Sequence, residues 1–168
     1  MKLLMKLKPW QIFLIVLTGY VLQVFTLPEP MMNALAKVFG MILYSLYPIC
    51  IGHFLQDALP KKVEMYHSFF LVNVFIWITL YALAMIWSGG VDITFNGIWA
   101  IPGMYALFAY IYMLYFSAKT LKSADRNREA KFSDYAGEFF LLVFLPIGLW
   151  ILHPKVREIA GRPIEEEE

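Results

Sequence analysis

The stretch "FFLLVFLPIGLWILHPKVREIAG", residues 139–161, decides the architecture, because its first fourteen residues, Phe139 to Leu152, carry no charged side chain. Such a run either crosses a bilayer or enters and leaves by the same face, and each outcome brings different polar residues together. Fourteen residues at helical rise reach only about 21 Å, short of the roughly 30 Å hydrocarbon layer. Runs of about 10 to 14 apolar residues are more often re-entrant, interfacial or buried than spanning. Pro146 and Gly148 are where a chain turns back or breaks its helix. A helix over the nineteen residues Ala136 to Pro154, with Glu138 and His153 at the two interfaces, is instead long enough to cross. Length favours re-entry, and the crossing alternative stays open.

Working outward, four longer runs contain no Asp, Glu, Lys or Arg: Pro9 to Pro28, Val38 to Gln56, Met65 to Val91 and Ile93 to Ala118. Each matches the roughly 20 residues a transmembrane helix needs. With 60% hydrophobic and 16% charged residues, the chain has more apolar surface than a soluble domain can hide from water. The fold class expected is all-α: a polytopic transmembrane bundle of four full spans plus a short fifth segment, one domain over 1–160, and a disordered acidic tail over 161–168. The three lysines before the first run resemble a secretory signal, but no small-residue cleavage site follows, so the run reads as a retained span. Pro28 and Pro30 are expected to end that helix, and Pro48 to kink the second.

Lysine and arginine orient the chain, because they stay preferentially on the cytoplasmic side. A cytoplasmic N-terminus collects Lys2, Lys6, Lys8, Lys61, Lys62, Lys119, Lys122, Arg126, Arg128 and Lys131 inside and leaves only Lys37 outside, ten against one. Re-entry of the last run adds Lys155, Arg157 and Arg162 to the inner count; crossing puts them outside. Charge therefore also favours re-entry. The net charge of +1 and the scattered basic clusters imply no nucleic-acid partner. Cys50, the single cysteine, cannot form a disulfide within one chain.

The segment "FSDYAGEFFLLVFLPIGLWILHP", residues 132–154, resembles the ending of an uncharacterised family of small polytopic bacterial membrane proteins, with an aromatic-rich run holding a Pro-Ile-Gly step. The resemblance covers about the last quarter of the chain and implies a bacterial inner membrane without implying an activity.

Two constellations are candidate sites. Tyr105, Phe108, Tyr112 and Tyr115 recur at steps of three and four on the fourth run and form one seam, either helix packing or the wall of a pocket for a lipid or flat apolar ligand. His53 and Asp57 share a helix face, and His67 opens the third run. If the last run re-enters, His153 and Glu138 return to the same side, so a polar cluster of His53, Asp57, His67, His153 and Glu138 is expected only with re-entry. No ligand-spacing motif, nucleophile triad or Gly-rich phosphate loop is present, so neither a metal nor a cofactor is expected. The absence of charge inside the four runs disfavours an ion-coupled carrier. The function expected first is an accessory or scaffold subunit of the inner membrane, with the basic loop 119–131 meeting a protein partner or anionic lipid. A lipid or small-molecule binding protein or passive carrier stands second, and a membrane-embedded enzyme third.

Overall fold

The computed structural model describes residues 7–60, 63, 65–91, 93–94 and 96–161, and no strand occurs among them. Lys2, Lys6, Lys61, Lys62, Arg162 and the acidic tail from 162 onward lie outside the described residues. Helix α1 spans Pro9–Val24, α2 Pro30–Phe54, α3 His67–Ser88, α4 Ala100–Arg126, α5 Phe132–Val143 and α6 Leu145–Ala160. Short 3-10 turns extend α2 over Leu55–Ala58 and precede α4 over Gly97–Trp99. The three stretches Pro30–Ala58, His67–Ser88 and Gly97–Arg126 are long and apolar enough to cross a membrane, whereas the apolar helix α1 is shorter.

Two boundaries differ from the sequence reading for local reasons. Proline ends α1 less than it begins α2: Pro30 occupies the first turn, where its missing N–H costs nothing, and the Glu29 carboxylate caps Met32 N–H. The second helix therefore starts eight residues before Val38, and Lys37 lies inside it rather than in an outer loop. At the other end of α3, Gly89 and Gly90 both hold positive φ, 66° and 76°, to turn the chain. A Cβ on Gly90 would stand 2.5 Å from Asn33 Nδ2, the group that donates to the carbonyls of Gly89 and Gly90 at 3.0 Å each. Asn33 thereby ties the start of α2 to the end of α3.

Helices α1 and α2 cross closely because one glycine comes from each. A Cβ on Gly19 would meet the Gly40 carbonyl at 2.7 Å, and one on Gly40 would meet the Gly19 carbonyl at 2.8 Å. No pair of small residues within a single helix announces this contact; it is completed only across two. Next to Pro48, Ser117 Oγ on α4 shares its proton between the Pro48 carbonyl at 2.7 Å and the Met113 carbonyl of its own helix at 2.8 Å. That bond fastens α2 to α4.

The opening stretch folds back on itself. The helix breaks at Phe144 (φ −96°, ψ 51°), and α5 and α6 pack as a hairpin so tight that a Cβ on Gly148 would overlap the Leu141 carbonyl. Pro146 sits in the first turn of α6, starting that helix rather than breaking one. Glu138 on α5 and Lys155 on α6 meet at 3.3 Å, so entry and exit lie at one end of the bundle. We call this the near end; it also holds Leu7, the close of α2 and the start of α3. The buried residues of all six helices form one core.

Candidate functional site

The depth of the hairpin creates the most distinctive surface. Trp150 of α6 packs on Phe13 of α1 with ring centroids 5.7 Å apart. From Trp150 to the break at Phe144 is six residues, about 9 Å of helix, whereas α1 continues eleven residues, about 16 Å, beyond Phe13. The hairpin therefore stops short of the far end. Exposure along α4 registers the edge: Met104, Leu107 and Ile111 are 68%, 55% and 46% exposed, while Leu114, Ala118 and Leu121, one to three turns on along the same flank, are 3%, 0% and 1% exposed. The α1 face that packs α6 through Phe13 likewise continues outward as exposed Tyr20 and Val24. Helices α1 and α4 both contact the hairpin but share no substantial packing with each other, and from this we infer a lateral crevice between their far halves. Phe144 and Ile147, both largely exposed, lie at its floor.

Polar groups gather behind this crevice on α2, where Lys37 and Tyr44, seven residues apart, share a face. Lys37 Nζ donates to the Gln23 carbonyl in the last turn of α1, and Gln23 Nε2 donates to the Lys37 carbonyl. Tyr81 of α3 donates to Gln23 Oε1 at 2.7 Å. Tyr44 is within electrostatic range of Tyr20 on α1 and of Tyr110 on α4. Four helices thus bring hydroxyls, an amide and one ammonium to the far half. The sequence hid this site because Lys37 reads as a loop residue until the start of α2 is fixed.

The aromatic seam exists as a ladder. Successive centroids from Tyr105 through Phe108 and Tyr112 to Tyr115 are 6.0, 6.0 and 5.8 Å apart. Its contacts are those of packing: Tyr105 donates to Asn73 Oδ1 on α3 at 3.0 Å, Phe69 of α3 meets Tyr112 edge-on at 5.2 Å, and Tyr115 meets Tyr135 of α5 at 5.6 Å. Tyr105 and Phe108 are 36% and 50% exposed, on the outer flank rather than inside the crevice.

The polar cluster expected of a returning chain divides into three, although the chain does return. His53 Nδ1 and His67 Nε2 lie 2.9 Å apart with rings stacked at 5.0 Å, near Asp57. His153 sits elsewhere: it is fully buried against Tyr47, with its Nε2–H donating to the Leu7 carbonyl at 3.1 Å. Tyr47 is buried on α2 whereas His53 faces outward on the same helix, so the two histidines lie on different sides of α2. The signal was present in the sequence, since His153 falls within the α6 stripe of Leu149, Leu152 and Val156 that packs inward. Among the described residues, no group of three or more His, Cys, Asp and Glu is arranged to hold a metal ion.

Glu138 forms the third part, an electrostatic clasp at the hairpin's neck. It is 5% exposed and accepts from Lys122 at 2.9 Å and Lys155 at 3.3 Å. Burial alone would raise its pKa, but the Lys122 hydrogen bond and charge, with Lys155, outweigh that and hold the carboxyl below the usual range. Other near-end cations are also engaged: Lys119 with Glu129 at 2.7 Å, Arg126 and Arg128 with Asp134. Asp134 also accepts from the Lys131 N–H, and this bond, with the two arginines, holds its pKa below the usual carboxylate range. The basic loop is therefore largely neutralised within the fold. Among the described residues, two buried side-chain polar atoms have no hydrogen-bond partner, Tyr47 Oη and His153 Nδ1. Comparison with known protein families, with characterised proteins and with solved structures finds no match to the chain.

Proposed function

We propose that this chain is an integral protein of a bacterial inner membrane that binds lipid in the crevice above its hairpin. In this reading α1 to α4 cross the bilayer, α5 and α6 re-enter from the cytoplasmic side, and the near end with the N-terminus is cytoplasmic. The observation that carries it is the change along the α4 flank, from exposed Leu107 and Ile111 to buried Leu114 and Ala118. A half-depth hairpin fills the inner part of a helix bundle and leaves its outer part to be filled by something else, and in a bilayer the available apolar filler is an acyl chain. The aromatic residues fit the placement: Trp87 and Trp99 are strongly exposed at the far end, and Trp10 and Tyr66 at the near end, as interfacial belts require. Docking of a partner on loop 119–131 has less support, because Glu129, Asp134 and Glu138 already occupy its cations.

Two measurements test this. A reporter active only in the periplasm should be silent after Lys131 and after Gly161, and active within 88–97; activity after Gly161 would overturn re-entry. Native mass spectrometry of protein extracted in mild detergent should show retained lipid, which Leu107→Trp or Ile111→Trp, by filling the crevice, should strip. Lipid-free parent protein would overturn the binding reading.

A further inference from the structure

Lys37 is the feature that the lipid reading leaves unexplained. An ammonium carries three donors, and this one spends a single hydrogen bond on the neutral Gln23 carbonyl. No carboxylate among the described residues lies within ion-pair distance of it, although the ion pairs among those residues gather at the near end. Glu29, the acid closest in sequence, is committed to capping Met32. Interaction with the carbonyl end of α1 offsets part of the charge, as cations at helix C-termini do. It does not supply a counter-ion, and a partly buried cation in apolar surroundings is costly without one.

Its height fits one kind of counter-ion. Lys37 is one turn below Asn33, which bonds the Gly89 and Gly90 carbonyls where α3 ends, and it is level with the last turn of α1. Trp87 and Trp99 flank that same end. An aromatic belt sits at headgroup level, and from one turn inside it a lysine side chain is long enough to carry its ammonium out to the lipid phosphates. Tyr44, on the Lys37 face of α2, leads from there into the crevice.

We propose that Lys37 binds the phosphate of an anionic phospholipid in the leaflet at the far end, with an acyl chain of that lipid lying in the crevice between α1 and α4. The assignment rests on the lipid reading above and adds the headgroup: phosphate is chosen by charge at Lys37, and the chain by the apolar walls of Leu107 and Ile111.

The test uses the full chain in mixed micelles of equal phosphatidylglycerol and phosphatidylcholine, with native mass spectrometry of what is retained. The parent protein should hold phosphatidylglycerol in preference. Lys37→Gln should reduce that preference by about five-fold, the contribution of one lysine near an anionic surface, while Lys37→Arg keeps it. Should Lys37→Gln fail to fold, Lys37→Met, which keeps the length of the side chain without its charge, must lose the preference to the same extent, and a preference it keeps overturns the assignment. Equal retention of both lipids by the parent, with loss of both in Ile111→Trp, overturns the Lys37 assignment and leaves the crevice reading standing. No lipid retained by any variant overturns both. If millimolar inorganic phosphate abolishes the preference without displacing lipid, the site is one for a free anion and the lipid assignment falls.

Discussion

The near and far halves of this bundle are built from the same helices and solve the burial problem in opposite ways. In the near half, α5 and α6 close over α4, Leu114, Ala118 and Leu121 are sealed, and acid pairs with base around Glu138. In the far half the same flank of α4 stands open, hydroxyls and the Gln23 amide surround Lys37, and its charge has no acidic partner among the described residues. The contrast teaches that the hairpin is a plug of fixed depth. What it covers is structural core, and what it leaves uncovered is available to ligand.

The sharpest way to break this contrast is to push the hairpin open. Gly148→Ala places a methyl into the Leu141 carbonyl and should cost about 3 kcal/mol, the upper part of the usual overpacking range. In that variant a cysteine at Ala118, with Cys50 replaced, should react with a water-soluble maleimide far faster than in the parent. Unchanged labelling and stability would mean that the hairpin is not what separates the halves.

Removing the clasp acts more gently. Glu138→Gln leaves Lys155 without its acid and Lys122 with only Asp125, at 3.5 Å, and should lower thermal stability by about 2 kcal/mol, less than for a fully buried pair because Lys155 is 42% exposed. The sign of its pH dependence follows from the depressed carboxyl. The contribution is present above the ordinary glutamate pKa of about 4.3 and is lost as pH falls through the lower folded value. Melting curves of the parent should therefore drop below about pH 4 more steeply than those of Glu138→Gln, and parallel curves would dissociate the clasp from acid sensitivity.

The smallest effect is expected inside the near half itself. Tyr47→Phe deletes a hydroxyl that has no partner, so stability should stay level or rise by up to about 1 kcal/mol. A loss larger than that would reveal a bound water joining Tyr47 Oη to His153 Nδ1, and the near half would then contain a buried polar relay rather than a dry core.

How much of this was legible beforehand depended on whether the deciding contact lay within one segment. Charge-free runs specify helices because each helix satisfies its own backbone, and the fold-back at residues 139–152 was readable from its length, its basic flanks and its Pro-Ile-Gly step. The start of α2 was not, since Pro30 was read as stopping one helix when it begins the next, and that error moved Lys37 out of the second helix. The Gly19 and Gly40 crossing and the split of the histidines were invisible for a different reason. Each depends on which face of α2 meets α1 and α6, and that is settled by the joint packing of three helices. The seam at Tyr105 to Tyr115 was visible as a stripe, but only its neighbours Asn73 and Tyr135 reveal what it packs against.

The unequal lengths of the outer helices carry a consequence for the surrounding membrane. Helix α1, at 16 residues, is about 24 Å long, and the charge-free part of α4, the nineteen residues Ala100 to Ala118, is about 28 Å. In the proposed placement the bilayer therefore meets a hydrophobic length that varies around the protein, short of the roughly 30 Å hydrocarbon layer beside α1 and close to it beside α4. Lipid must compress on one flank and not on the other, at a cost of fractions of a kcal/mol per ångström. The protein would accordingly impose a thickness gradient on its annulus and favour membranes, or neighbours, that relieve the compression at α1.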